Sequence, residues 1–138
     1  MRTKCFLGVL AIVLFVCGCS PSKDMATASA AVTQFHAQLD RGEFDSIYMH
    51  ADPRLREATK RDDFISLLSA VHRKLGPVQG ATREGFLINY NTLGYQIRLT
   101  YSTKFTEGNA EEIFNWAKSG DSMQLLGYNI NSNALITK

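Results

Sequence analysis

The chain has 138 residues, with 15 Lys and Arg against 13 Asp and Glu, and three cysteines. The two-charge basic excess equals the contribution of Arg2 and Lys4, so the chain from Cys19 to Lys138 is balanced. No basic surplus remains there to displace counterions from a phosphate backbone, which excludes nucleic acid as the expected partner. A chain of this length supports one hydrophobic core.

Met1 to Lys4 carries two positive charges and no acid, and Phe6 to Val16 is apolar apart from the neutral Gly8. About 20 apolar residues are needed to cross a bilayer, so this run is too short to span one, but it has the length of a secretory apolar region. The segment Val16-Cys17-Gly18-Cys19 resembles the lipobox of bacterial lipoproteins. That resemblance implies a diacylglyceryl thioether on Cys19, removal of residues 1–18, and acylation of the freed amine. The alternatives are an ordinary signal peptide cut nearby and a permanent anchor helix. More than one acyl chain holds a protein stably at a membrane, so the expected partner is the membrane, through the lipid on Cys19. Ser20 replaces the aspartate that would signal inner-membrane retention, and the family rule then implies the periplasmic face of the outer membrane in a Gram-negative host. With Cys5 and Cys17 removed and Cys19 acylated, the mature domain is expected to hold no disulfide and no thiolate metal site. The expected organisation is a signal peptide over 1–18, a lipidated tether over 19–24 and a single domain over 25–138. An extended tether of about five residues reaches at most ~17 Å.

Met25, Ala28, Val32, Phe35 and Leu39 recur at helical steps, and Gly42 is placed to end that helix. Phe44 to Met49 predicts a short second helix, with Phe44, Ile47 and Tyr48 inward, broken at Asp52-Pro53. Thr59 reads as the N-cap of a third helix, with Asp62 three residues on and Asp62-Asp63 at the positive end of its dipole. Phe64, Leu67, Leu68, Val71 and Leu75 form its apolar stripe, and Gly76-Pro77 stops it.

After Pro77 the period falls to two. Tyr95, Ile97, Leu99, Tyr101 and Phe105 alternate with Gln96, Arg98, Thr100, Ser102 and Lys104, the pattern of a half-buried strand. Turn signals at 91–94, 107–109 and 119–121 divide this half into runs over 78–90, 95–106, 110–118 and 123–131, expected to pair as an antiparallel meander. Gly80, Gly85 and Gly127 are the expected bend points. The fold class is therefore α+β, with N-terminal helices on one face of a curved four-stranded antiparallel sheet. The segment from Gly120 to Asn133, together with the strands over 83–90 and 95–106, resembles a group of small bacterial lipoproteins. Their domains are nuclear transport factor 2-like, also termed cystatin-like, and that likeness implies a cone-like arrangement of helices and bent sheet.

Chemistry-bearing residues give no recognisable constellation. His36, His50 and His72 stand at no metal-ligand spacing, so no metal and no cofactor is expected. His36 and His72 flank apolar stripes and read as boundary packing. His50 beside Asp52 reads either as an oriented acid–base pair or as a simple loop before a proline. The pair Glu111-Glu112 points to opposite faces if it lies on a strand. An enzyme of this fold would need a buried carboxylate or histidine deep among the aromatics, with a perturbed pKa. Glu84, Glu111 and Glu112 are the carboxylates inside the strand runs, and the discriminator is whether any of these faces an open cavity. Tyr90, Tyr95, Tyr101, Trp116 and Tyr128 are candidate lining for an apolar pocket, unless the helices fill that face. The expectation is a lipid-anchored cell-envelope protein carrying a non-catalytic binding module for another envelope protein. The alternatives are a small cone-pocket enzyme and a carrier of a small apolar ligand.

Overall fold

The computed structural model describes residues 21–137; the leader, Cys19 and Ser20 lie outside the described residues, as does Lys138. The element order is α1 (Pro21–Asp40), α2 (Phe44–Met49), α3 (Pro53–Ala58), α4 (Arg61–Leu75), β1 (Val78–Asn91), β2 (Gly94–Phe105), β3 (Gly108–Ser119), β4 (Ser122–Asn131) and α5 (Asn133–Thr137). The four strands form one antiparallel sheet in sequential order, the α+β architecture that the change of period predicts.

Helix α1 buries Ala28, Val32, Phe35 and Leu39, with Asp24 and His36 beside them. It is described from Pro21 onward, so Pro21 to Asp24, expected as tether, are helical. Proline suits a first helical turn, where its missing N–H would have no intrahelical partner. Asp24 adds a second reason, because its carboxylate favours the helix N-terminus and pairs with Lys118 at 2.8 Å. Gly42, at φ 70°, carries the chain out of α1 into α2.

Asp52-Pro53 ends one helix and also starts another. Asp52 accepts a hydrogen bond from the Arg54 N–H at 2.9 Å and caps α3, with Pro53 at its first position. Thr59 is consequently the C-cap of α3 and not the N-cap of α4, which starts after Lys60 without a side-chain cap. The α4 stripe buries Phe64, Leu68, Val71 and Leu75, while Leu67 lies on its solvent margin. Gly76 ends α4 at φ 72°.

On β2, Ile97, Leu99, Tyr101, Thr103 and Phe105 face the helices; on β3, Ala110, Glu112, Phe114 and Trp116 do so. Register shifts fall at Val78/Gly80, at Arg83/Gly85 and at Asn115/Trp116 opposite Gly127, so all three expected bend points coincide with irregularities. The helix-side faces of β2 to β4 and the inner faces of α1, α2 and α4 share one core. Strand β1 is different: Phe86 and Tyr90 point to the helix side yet remain 62% and 84% exposed. The helices cover the later strands and leave the far half of this edge strand open.

Candidate functional site

Among the described residues, the buried polar groups are Asp24, His36, Asp52, Thr103, Glu112 and Ser132, and three of them converge at one place. Glu112 is completely buried, on the inward phase of β3 between Ala110 and Phe114. Its outward neighbour Glu111 is exposed, so strand alternation separates the two carboxylates. Burial of a carboxylate is costly unless donors replace the lost water. Three side chains do so: Thr103 Oγ1 donates to Oε2 at 2.5 Å, Tyr128 Oη donates to Oε1 at 2.6 Å, and His36 Nε2 lies 2.7 Å from Oε2. An Nε2–H tautomer of His36 completes the set.

Sheet register places two of these donors. Tyr101 is directly opposite Glu112 on β2, and Thr103 is the diagonal neighbour on the same face. Ile130 is opposite Glu112 on β4, and Tyr128 is the corresponding diagonal neighbour. His36 comes from α1, one residue after the buried Phe35, with its ring 5.7 Å edge-on from Phe114. Burial pushes the Tyr128 phenol well above its usual range, and the nearby Glu112 charge and hydrogen bond push it further.

The chemistry open to this cluster is limited by access. Three clefts among the described residues bear on it. The first, about 360 Å³, is lined by Glu84, Ser102, Asn109, Glu111 and Asn131. The second, about 80 Å³, lies among Gln34, Gln38, His50, Trp116 and Met123. The third, about 330 Å³, is lined by Leu55, Phe64, Leu67, Leu126 and Tyr128. Neither Glu112 nor His36 lines any of the three. Glu84 and Glu111 do border an open cleft, which Tyr101 also lines, but both carboxylates are exposed and not buried among the aromatics.

The five aromatics expected to share a pocket are not brought together around one. Tyr101, Trp116 and Tyr128 are buried around Phe114, at ring separations of 6.0, 6.0 and 5.2 Å. Each borders a different cleft. Tyr95 and Tyr90 lie at the β1–β2 edge, 6.5 Å apart. The helices fill the face that these rings would otherwise have enclosed.

His36 is the histidine that the sequence places incorrectly: it faces a buried carboxylate instead of packing at a boundary. One signal was available, since Thr103 and Glu112 are both polar residues on the inward phase of their strands. His72 does pack against an apolar neighbour, edge-on to Phe44 at 5.9 Å. His50 forms no pair with Asp52. Its Nδ1 donates to the Ser46 carbonyl at 2.8 Å, while Arg54 engages both oxygens of Asp52.

No family model matches this chain, and a search of characterised protein sequences finds nothing similar. Among solved structures the chain is similar to Aln2 from a Streptomyces species. The TM-score is 0.54 at 10% identity, over 85% of this chain and 95% of that one. At that identity the likeness concerns the fold.

Proposed function

We propose that this protein is a lipid-anchored component of the cell envelope, whose nuclear transport factor 2-like domain is a non-catalytic binding module. The observation that carries the second half is the sealed state of Glu112. An acid–base catalyst must reach its substrate directly or through one water. Here both carboxylate oxygens are engaged by Thr103, Tyr128 and His36, and neither Glu112 nor His36 lines any of the three described clefts, Tyr128 standing between the carboxylate and the third. The cluster therefore specifies how α1 sits on β2, β3 and β4, and binding is left to the surface.

That surface has two features a partner could use. Among the described residues, the outer edge of β1 has no strand beside it, and it carries the exposed Phe86 and Leu87, an arrangement suited to strand addition. The polar cleft lined by Glu84 and Glu111 lies at one end of the same sheet. A second reading, carriage of a small apolar ligand, is favoured by the third cleft, whose volume and Leu55, Phe64, Leu67 and Leu126 lining suit such a molecule.

Anchoring is supported by the Val16-Cys17-Gly18-Cys19 segment. The test is intact mass of the mature protein, with and without Cys19→Ala. A first residue of Cys19 carrying diacylglyceryl and acyl mass is expected, and a retained Met1 or a lipid-free Cys19 overturns the placement. Crosslinking in native membranes, from photoreactive groups placed along β1, tests the binding half. The expected result is one reproducible envelope partner, and the absence of any counts against it.

A further inference from the structure

Which end of the domain lies nearest the lipid follows from three sets of contacts. Pro21, the first described residue of α1, is two residues along the chain from Cys19, a separation that spans at most about 7 Å. The start of α1 is tied to the end of the sheet that carries the β3–β4 turn. Lys23 pairs with Asp121 at 3.6 Å and Asp24 with Lys118 at 2.8 Å. The β1–β2 turn lies at that same end, because Gln96 near the start of β2 pairs with Ala117 near the end of β3. Side chains continue the link: Lys118 Nζ lies 5.6 Å from the Tyr95 ring centre, and Tyr95 lies 6.5 Å from Tyr90.

This end exposes apolar groups where a soluble surface would favour polar ones. Leu93, at the tip of the β1–β2 turn, is 65% exposed, and Tyr90 beside it is exposed further. The turn is also held firmly. The Asn91 side chain accepts from the Leu93 N–H at 2.8 Å, Arg54 Nη1 donates to the Leu93 carbonyl at 2.9 Å, and Gly94 adopts φ 98°. Both backbone groups of Leu93 are thus engaged while its side chain projects outward. Leucine with an adjacent tyrosine is the composition of a membrane-interface contact: an apolar group enters the acyl boundary and an amphipathic ring sits at headgroup level.

We propose that the end of the domain bearing the β1–β2 turn rests on the lipid surface, with Leu93 and Tyr90 as its contact residues. This rests on the anchored reading above, since a tether of about two residues is what brings so small a patch to the bilayer at high effective concentration. The occupant is the membrane itself, because on the anchored reading the lipid is attached only two residues before Pro21, and Pro21 belongs to this end. The polar cleft of Glu84, Asn109 and Glu111 lies at the opposite end of the strands and therefore points away from the lipid, toward partners.

The acylated Cys19 has no free thiol, so a single introduced cysteine labels uniquely. Thr92→Cys, exposed in the turn, and Asn109→Cys, exposed at the far end, each receive an environment-sensitive fluorophore. The lipidated proteins are placed in phosphatidylcholine vesicles, with a fraction of the lipids carrying a quencher near the top of the acyl chain. Several-fold stronger quenching is expected at residue 92 than at residue 109, and Leu93→Ser with Tyr90→Ser is expected to bring residue 92 down to the level of residue 109. Equal quenching at both positions overturns the proposal. So does a blue shift at residue 92 without lipid quenching, which would mean that a protein or a second copy covers the turn. Intact mass is measured on the same samples. Lipidated protein with an unquenched turn leaves the anchored reading standing and removes only this inference, whereas a lipid-free Cys19 removes both.

Discussion

Glu112 shows how a single buried charge can specify a core. Removing its side chain by Glu112→Ala strands the His36, Thr103 and Tyr128 polar groups. Breaking a buried, hydrogen-bonded ionic site in this way costs about 3–5 kcal/mol, to be read from urea denaturation. The double change His36→Leu with Glu112→Leu removes both long-range partners together. It is expected to cost clearly less than the sum of the two single changes, because neither is then left unpaired. Tyr128→Phe takes one donor from Oε1 and leaves the ring packing in place, for a loss of about 1–3 kcal/mol. Equal costs for Glu112→Ala and for a surface control such as Glu111→Ala would refute the structural role of the cluster. The sequence contains all four residues but not their convergence. Strand alternation puts Glu112 inward, yet which helix residue meets it depends on how α1 lies across the sheet, and no local pattern encodes that.

At the scale of elements, the strands were the most legible part. Their alternation and glycine-containing turns locate all four to within about two residues of the observed ends, and the predicted bends at Gly80, Gly85 and Gly127 follow from the same reasoning. The helical half was less so. Two short elements escaped, α3 and α5, of six and five residues. Helix α2 is as short as α3, but its Phe44, Ile47 and Tyr48 fall at helical steps, whereas α3 buries Leu55 alone and α5 buries nothing, so neither shows a period. Asp52 and Thr59 were each assigned to one role when the chain uses them at opposite ends of the missed α3. The cap predicts its own test: Asp52→Ala loses the bond to the Arg54 N–H, for about 0.5–2 kcal/mol. It also frees Arg54 from the fork that aims it at the Leu93 carbonyl. A change in the carbonyl carbon chemical shift of Leu93 would report that second effect. Gly76→Ala should be costly for a different reason. Its φ of 72° with ψ of −166° suits glycine alone, and an added Cβ would meet Thr106 Cβ at 3.3 Å. A loss of about 1–3 kcal/mol is expected from backbone strain, and no loss would mean that the end of α4 can rearrange freely.

For the whole molecule, the two shifted groups that matter are at opposite ends of the pH scale, and their signs differ. Asp52 is held below its usual value of 3.8, first by the Arg54 side-chain hydrogen bonds. Its contribution is present above the unfolded value and is lost as pH falls through the folded one, so it belongs to the acid limb below about pH 4. Tyr128 is raised well above 10.0, first by burial. The folded phenol keeps its proton while the unfolded one gives it up, so unfolding releases a proton and stability falls as pH rises beyond about 10. Between these limits neither group contributes a slope. Denaturation of the mature protein across pH should therefore show Asp52→Asn flattening the acid limb alone and Tyr128→Phe flattening the alkaline limb alone. A Tyr128→Phe protein that loses stability above pH 10 as steeply as the parent would mean that the phenol is not sealed in the core. The same result would reopen the route from the third cleft to Glu112 that the non-catalytic reading takes to be closed.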